Sequence, residues 1–174
     1  MSKKNSSVIL KEGFEGFDDL SKTYFEFKKK FNYLKQNTYV VAVSGGPDSL
    51  ALAALTRALS FERKIKFYYV LVNHNLRKDS SKEAILVKKL LKKKFFNLNI
   101  LNNKSKILKN VQSQARLMRY KMLSNFCEKK GIKTIVTAHN LEDQVETFFI
   151  RLSRGSGLTG LSGMKTFSSL NKNI

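Results

Sequence analysis

The stretch SGGPDS, residues 44–49, holds the first residues whose types and spacing could do chemistry. Two bare glycines, Gly45 and Gly46, let main-chain amides turn sharply toward an anion with no side chain in between. Pro47 suits the first turn of a helix, where its missing N–H is not needed. That helix would aim its unpaired N–H groups and partial positive charge at the same point. Ser44 and Ser49 add hydroxyl donors at the two edges. Such a loop is built to hold phosphate. Asp48 adds a condition, because a carboxylate beside phosphates needs a cation between them. A Mg²⁺ ion bridging Asp48 to pyrophosphate oxygens meets it. The string is neither GxxxxGK(S/T), which carries a lysine in the turn, nor GxGxxG. The plain alternative is an ordinary strand-to-helix turn with Asp48 as an acidic first-turn residue. The complete string, lying directly between a strand and a helix, argues against it.

Other candidates are more scattered. Arg116, Arg119 and Tyr120 stand at i, i+3 and i+4 and share one helix face. Arg116 is the better phosphate or nucleotide contact, while Arg119 reads equally well as part of a solvated basic face. His74 follows one apolar run and His139 another. Asp143 lies four residues after His139 and three before Glu146, so all three could face one cleft.

The elements that must position these residues alternate. TYVVAVS (38–44) reads as a strand and 47–60 as a helix. KFYYVLVN (66–73) is a second strand and 80–95 a second helix. LNILN (98–102) is a third strand, and 111–131 is a long helix closed by Gly131. KTIVTAH (133–139) is a fourth strand and 141–154 a fourth helix. Apolar strands alternating with helices predict an α/β fold, a parallel twisted sheet with helices on both faces. Ligands in such sheets sit beyond the carboxyl ends of the strands, where SGGPDS, NHNLR and HNLED all fall. Residues 1–37 hold no motif. Their apolar residues Phe14, Phe17, Leu20, Tyr24, Phe27, Phe31 and Leu34 predict an amphipathic helical lead-in.

Composition narrows the class. With 42% hydrophobic and 11% aromatic residues, 174 residues suffice for one domain with a proper core. No apolar run approaches the roughly 20 residues that cross a bilayer, and the opening MSKKNSSVILKEG lacks the apolar core of a signal peptide. No membrane association is expected. Cys127 is the one cysteine, which excludes an internal disulfide and a cysteine-based zinc or iron–sulfur site and points to a reducing cytoplasm. The net charge of +20 attracts polyanions, nucleic acid first. Part of it reads as the lysine-rich drift of an AT-rich genome, and Lys92-Lys93-Lys94 alone reads as a solvated helix face.

SGGPDS resembles the signature of the PP-loop, or N-type, ATP pyrophosphatases. The later stretches VNHNLRKDSSKEA (72–84) and QSQARLMRYKML through RLSRGSGLTGLSGM (112–164) are similar to the tRNA(Ile)-lysidine synthase branch of that family. The resemblance runs from about Val40 to Met164. It implies a Rossmann-like, adenine-nucleotide-alpha-hydrolase-like fold, with 38–164 as the catalytic domain and 165–174 as the start of a tRNA-binding region. It further implies ATP and Mg²⁺ as cofactors, and free L-lysine and a tRNA(Ile) with a CAU anticodon as partners. A homodimer is allowed. Ser44, Gly45, Gly46, Pro47, Asp48, Ser49 and His74 would bind the nucleotide, with Asp48 on the metal. Asp48, Arg116, His139 and Asp143 would be catalytic, Asp143 as the carboxylate that takes up the lysine ammonium. The chain departs from the branch at Asn73, Asn75, Asn140 and Glu142. A PP-loop thiolase, a small-molecule amidating enzyme and a nucleotide-binding module without catalysis are the rival readings. The single cysteine counts against the first, and the basic charge against the second.

Overall fold

The computed structural model describes residues 18–94, 96–105 and 110–138, together with Val145, Phe149, Ser153 and Gly155. Four parallel strands form one sheet in the order β3-β2-β1-β4. They are β1 (Thr38–Ala42), β2 (Lys66–Asn73), β3 (Leu98–Asn102) and β4 (Ile135–Thr137). The helices are α1 (Asp18–Phe31), α2 (Pro47–Glu62), α3 (Ser80–Lys93) and α4 (Val111–Lys130). The expected α/β alternation is therefore present, and β1 and β4 are shorter than the apolar runs that announced them. Of the expected helix over 141–154, only Val145, Phe149 and Ser153 fall among the described residues, and each is helical.

β1 is central and covered on both faces, so its residues show no polar alternation: Tyr39, Val40, Val41 and Ala42 are all buried, as is Val43 just after it. Each such large side chain withdrawn from water stabilises the fold by about 1.5–3 kcal/mol. Val41 and Val43 face α2 and α3, packing with Ala53, Ala84 and Leu91. Val40 and Ala42 face α4, packing with Leu123 and Cys127. The chain builds β1, β2 and β3 outward in one direction with α2 and α3 on one face. It then returns past β1 to lay down β4, with α4 on the other face. The strand order reverses between β1 and β4, and a crevice opens at the carboxyl ends there.

α1 is fastened to the amino-terminal end of the sheet. Phe27, Phe31 and Leu34 pack with Tyr39, Leu59 and Phe67, and Lys28 pairs with Glu62 of α2. The expected stripe is thus realised from Tyr24 to Leu34. Leu20 is exposed, and Phe14 and Phe17 lie outside the described residues.

Candidate functional site

β1 delivers the chain to Ser44 at the edge of this crevice. Gly45 takes φ +92, a left-handed conformation that side chains resist. A Cβ there would also sit 2.9 Å from Val87 Cγ2 of α3. Both facts demand glycine. Gly46 is the N-cap of α2 in extended conformation, and Pro47 opens the helix.

The turn is closed from inside by Ser49. Its buried hydroxyl accepts from the amides of Ser44 at 3.1 Å and Gly45 at 3.2 Å and donates to the Gly46 carbonyl at 2.9 Å. Ser44 Oγ lies 3.1 Å from Ser49 Oγ and 3.4 Å from the Gly46 amide. The amides of Ser44 and Gly45 thus shape the loop. The Gly46 amide, with its long contact, and the first-turn amides of Asp48 and Ser49, which have no acceptor within the helix, are the groups the loop can turn to an anion. Ser49 serves the loop as its internal tie, whereas Ser44 is exposed at the rim.

Asp48 is exposed in the first turn of α2, beside those amides. Among the described residues no three His, Cys, Asp or Glu side chains gather to hold a metal. One carboxylate beside the amides of this bend fits Mg²⁺, which commonly takes one or two protein carboxylates and completes its shell with substrate phosphates and water. The donor set therefore fits the ion.

His74 follows β2 at the same end of the sheet. Its Nδ1 is buried and has no hydrogen-bond partner among the described residues. Burial pushes the imidazole below its ordinary pKa of 6.5, and the Arg119 guanidinium of α4 adds to the shift. His74 is therefore neutral near pH 7. Arg119 is half-buried, and burial lowers its own pKa, opposed by Tyr120 and assisted by Arg116. Arg116 is exposed, its guanidinium carbon 5.5 Å from the centre of the Tyr120 ring. Arg119 thus approaches His74 across the gap between α4 and the β2 end. The sequence offered no way to separate it from a solvated basic face, because burial depends on which side of α4 meets the sheet. His139, Asp143 and Glu146 lie outside the described residues.

The turn after β2 was less legible. Asn75 adopts φ 53, a left-handed conformation that asparagine tolerates better than most residues. Asn73, Asn75 and Asn102 join there through their side chains, and Asn75 Nδ2 reaches the Asn103 carbonyl. A run of asparagines near strand ends was the available signal, and compositional drift hid it.

A protein-family model for the PP-loop domain matches residues 20–174. The tRNA(Ile)-lysidine synthase of Wolbachia pipientis wMel is 44% identical over 140 residues, which are 78% of this chain and 32% of that protein. The tRNA(Ile)-lysidine synthase of Novosphingobium aromaticivorans is 37% identical over 157 residues, 90% of this chain and 47% of that protein. The chain thus spans about a third to a half of the length of these curated relatives. Among solved structures, the U34-tRNA thiolase NcsA from Methanococcus maripaludis matches with a TM-score of 0.66 and 18% identity. The match covers 80% of this chain and 52% of that one, a likeness of fold.

Proposed function

The chain belongs to the PP-loop family, and from that premise we propose that it works as a tRNA(Ile)-lysidine synthase. The observation that carries the reading is the SGGPDS bend. It lies at the carboxyl end of β1, beside the strand-order reversal, in a chain 44% identical to such an enzyme. ATP is the nucleotide and Mg²⁺ the metal. The tRNA(Ile) with a CAU anticodon and free L-lysine are the substrates.

Two displacements follow. O2 of the wobble cytidine attacks the ATP α-phosphorus, and pyrophosphate leaves. The lysine ε-amine then attacks C2 of the adenylated base, the C2–O bond breaks, and AMP leaves. The modified anticodon reads AUA in place of AUG. The Gly46, Asp48 and Ser49 amides and Ser44 Oγ hold the phosphates, while Ser49, Gly45 and Pro47 keep the bend in shape. Asp48 holds Mg²⁺, which when bound offsets phosphate charge. Arg116 meets the negative charge on the transferring nucleotide. His74 lines the nucleotide site as a neutral ring. His139 contacts ATP or the reacting base. Asp143 binds the ammonium and takes its proton.

Cys127 favours this reading over sulfur transfer. It is buried against the sheet, and desolvation, helped by Glu128, pushes its thiol up to about 11. A thiolate is the reactive form, and this residue withholds it.

The test is incorporation of labelled lysine into tRNA transcripts by this chain with ATP and Mg²⁺. Label is expected in a CAU-anticodon transcript and not in a UAU one. Label in both, or ATP hydrolysis without any lysine transfer, overturns the assignment.

A further inference from the structure

The polar cluster at the carboxyl ends of β2 and β3 is unlike the other strand ends, because it is made almost wholly of side-chain amides. Asn73 and Asn103 are 4% and 5% exposed. A buried amide left unpaired costs about 1–3 kcal/mol, and these are paired throughout. Asn73 Nδ2 lies 2.8 Å from Asn75 Oδ1, 3.1 Å from Ser81 Oγ and 3.1 Å from Asn102 Oδ1. Asn73 Oδ1 accepts from the Asn75 amide at 3.1 Å. Asn75 Nδ2 donates to the Asn103 carbonyl at 2.6 Å, and Ser81 Oγ donates to Asn75 Oδ1 at 3.1 Å. Asn103 Nδ2 donates to the His74 carbonyl at 3.2 Å and to that of Ser105 at 2.7 Å. Its Oδ1 accepts from the Ser105 amide at 2.8 Å, and its own amide donates to the Asn73 carbonyl at 2.8 Å.

His74 stands at the middle of this lattice. Both its sequence neighbours are tied through their side chains, and its carbonyl is tied to β3. Its ring takes no part. The lattice fixes the direction in which the His74 side chain leaves the backbone, and it leaves Nδ1 buried and without a protein partner among the described residues. A turn that needed only to connect β2 to α3 could meet water with its amides. Sinking two asparagines, Asn103 to hold the His74 carbonyl and Asn73 to brace Asn75 on its other side, is accounted for if the ring between them must stand in one place.

We propose that Asn73, Asn75 and Asn103 are positioning residues for His74, fixing its imidazole at the wall of the nucleotide crevice. The inference rests on the reading of that crevice as a nucleotide site, and it adds a role for three residues outside the glycine loop. Among the described residues the charged group that acts on the ring from α4 is Arg119, which Arg116 in turn influences.

The test follows the ring itself, by NMR titration of the full chain with labelled histidine. There are two histidines, and His139→Gln identifies the signal of His74. Asn75→Gly is the cleanest variant, since glycine accepts φ 53 and only the side-chain contacts are lost. Asn103→Ala is the second. In both, the His74 midpoint is expected to rise toward 6.5 as the ring escapes burial and Arg119. The dissociation constant for ATP is expected to rise about tenfold. A wild-type midpoint in Asn75→Gly overturns the proposal, as does a moved midpoint with unchanged ATP affinity. Should Asn103→Ala fail to fold, Asn75→Gly decides alone. A wild-type chain that binds no ATP strikes the nucleotide reading instead, and the midpoint in Asn75→Gly still reports whether the lattice holds His74.

Discussion

The two strand ends that border the crevice are built by opposite means. The bend after β1 is made of main chain. Its side chains are two hydrogens, a proline ring, an exposed carboxylate and two hydroxyls, and only Ser49 is buried among the polar ones. The corner after β2 is made of side chains, with Asn73, Asn75, Asn102 and Ser81 closing on one another and Asn103 reaching the His74 carbonyl. The first arrangement holds amide donors and a carboxylate at the surface, as a site for a charged, hydrated ligand requires. The second turns its polar groups inward and presents one imidazole. A phosphate site made of backbone tolerates almost no change of residue at the bend, because the shape is the function. A corner made of side chains can trade one amide for another group of the same hydrogen-bonding capacity.

The largest effect that would sharpen this contrast is expected at Asp48. Asp48→Ala removes the carboxylate and leaves the amides, so pyrophosphate release should fall by about a thousandfold, as loss of several kcal/mol of charge stabilisation implies. Thermal stability should change far less, since Asp48 is exposed and the interactions of an exposed first-turn carboxylate are worth about 1 kcal/mol or less each. A coupled pyrophosphate assay and a melting curve measure the two. Release above a tenth of the wild-type rate would break the assignment of the carboxylate to the metal.

Gly45→Ala should come next. The φ of +92 and the 2.9 Å approach of Val87 Cγ2 both oppose a Cβ, at about 1–3 kcal/mol together. We expect a Tm lower by about 2–8 °C and ATP affinity reduced about tenfold or more as the bend is displaced, by calorimetry of nucleotide binding. Adding Val87→Ala should recover the part due to contact and not the part due to φ. Full recovery would show that the space, and not the backbone conformation, was what glycine supplied.

These two residues also mark how much could be read without coordinates. The bend was legible because its residue types are dictated locally: a left-handed position, a helix start and an anion site each narrow the choice. The alternation of strands and helices was legible because β1 and β2 are apolar runs that only a doubly covered sheet accommodates. The lattice was not. Asn73 and Asn103 are 30 residues apart in sequence and meet only because β2 and β3 pair in register, with Asn73 opposite Asn102. Arg119 was ambiguous for the same reason, since its burial is decided by how α4 rotates against the sheet. Local chemistry could be inferred from local residues, and whatever depended on register or helix rotation could not.

The smallest expected effect concerns the second corner alone. In the folded chain His74 titrates below its ordinary 6.5. The folded state therefore binds fewer protons at this site than the unfolded state does between the two values. Stability must then rise with pH across that window and level off above about 6.5. Acidification from pH 7 should lower Tm as the pH passes downward through 6.5, where the ordinary carboxylates, near 4, remain ionised. The chain has a second histidine, so the measurement is the difference between wild type and His74→Gln. The variant should lose less Tm than wild type over the same interval. Equal losses would mean that His74 keeps its ordinary pKa and that the ring is not held against Arg119. A steeper loss in the variant would mean that protonated His74 stabilises the fold, a sign incompatible with a buried neutral ring beside Arg119. Either result would break the comparison drawn between a corner made of main chain and a corner whose side chains hold one buried imidazole in place.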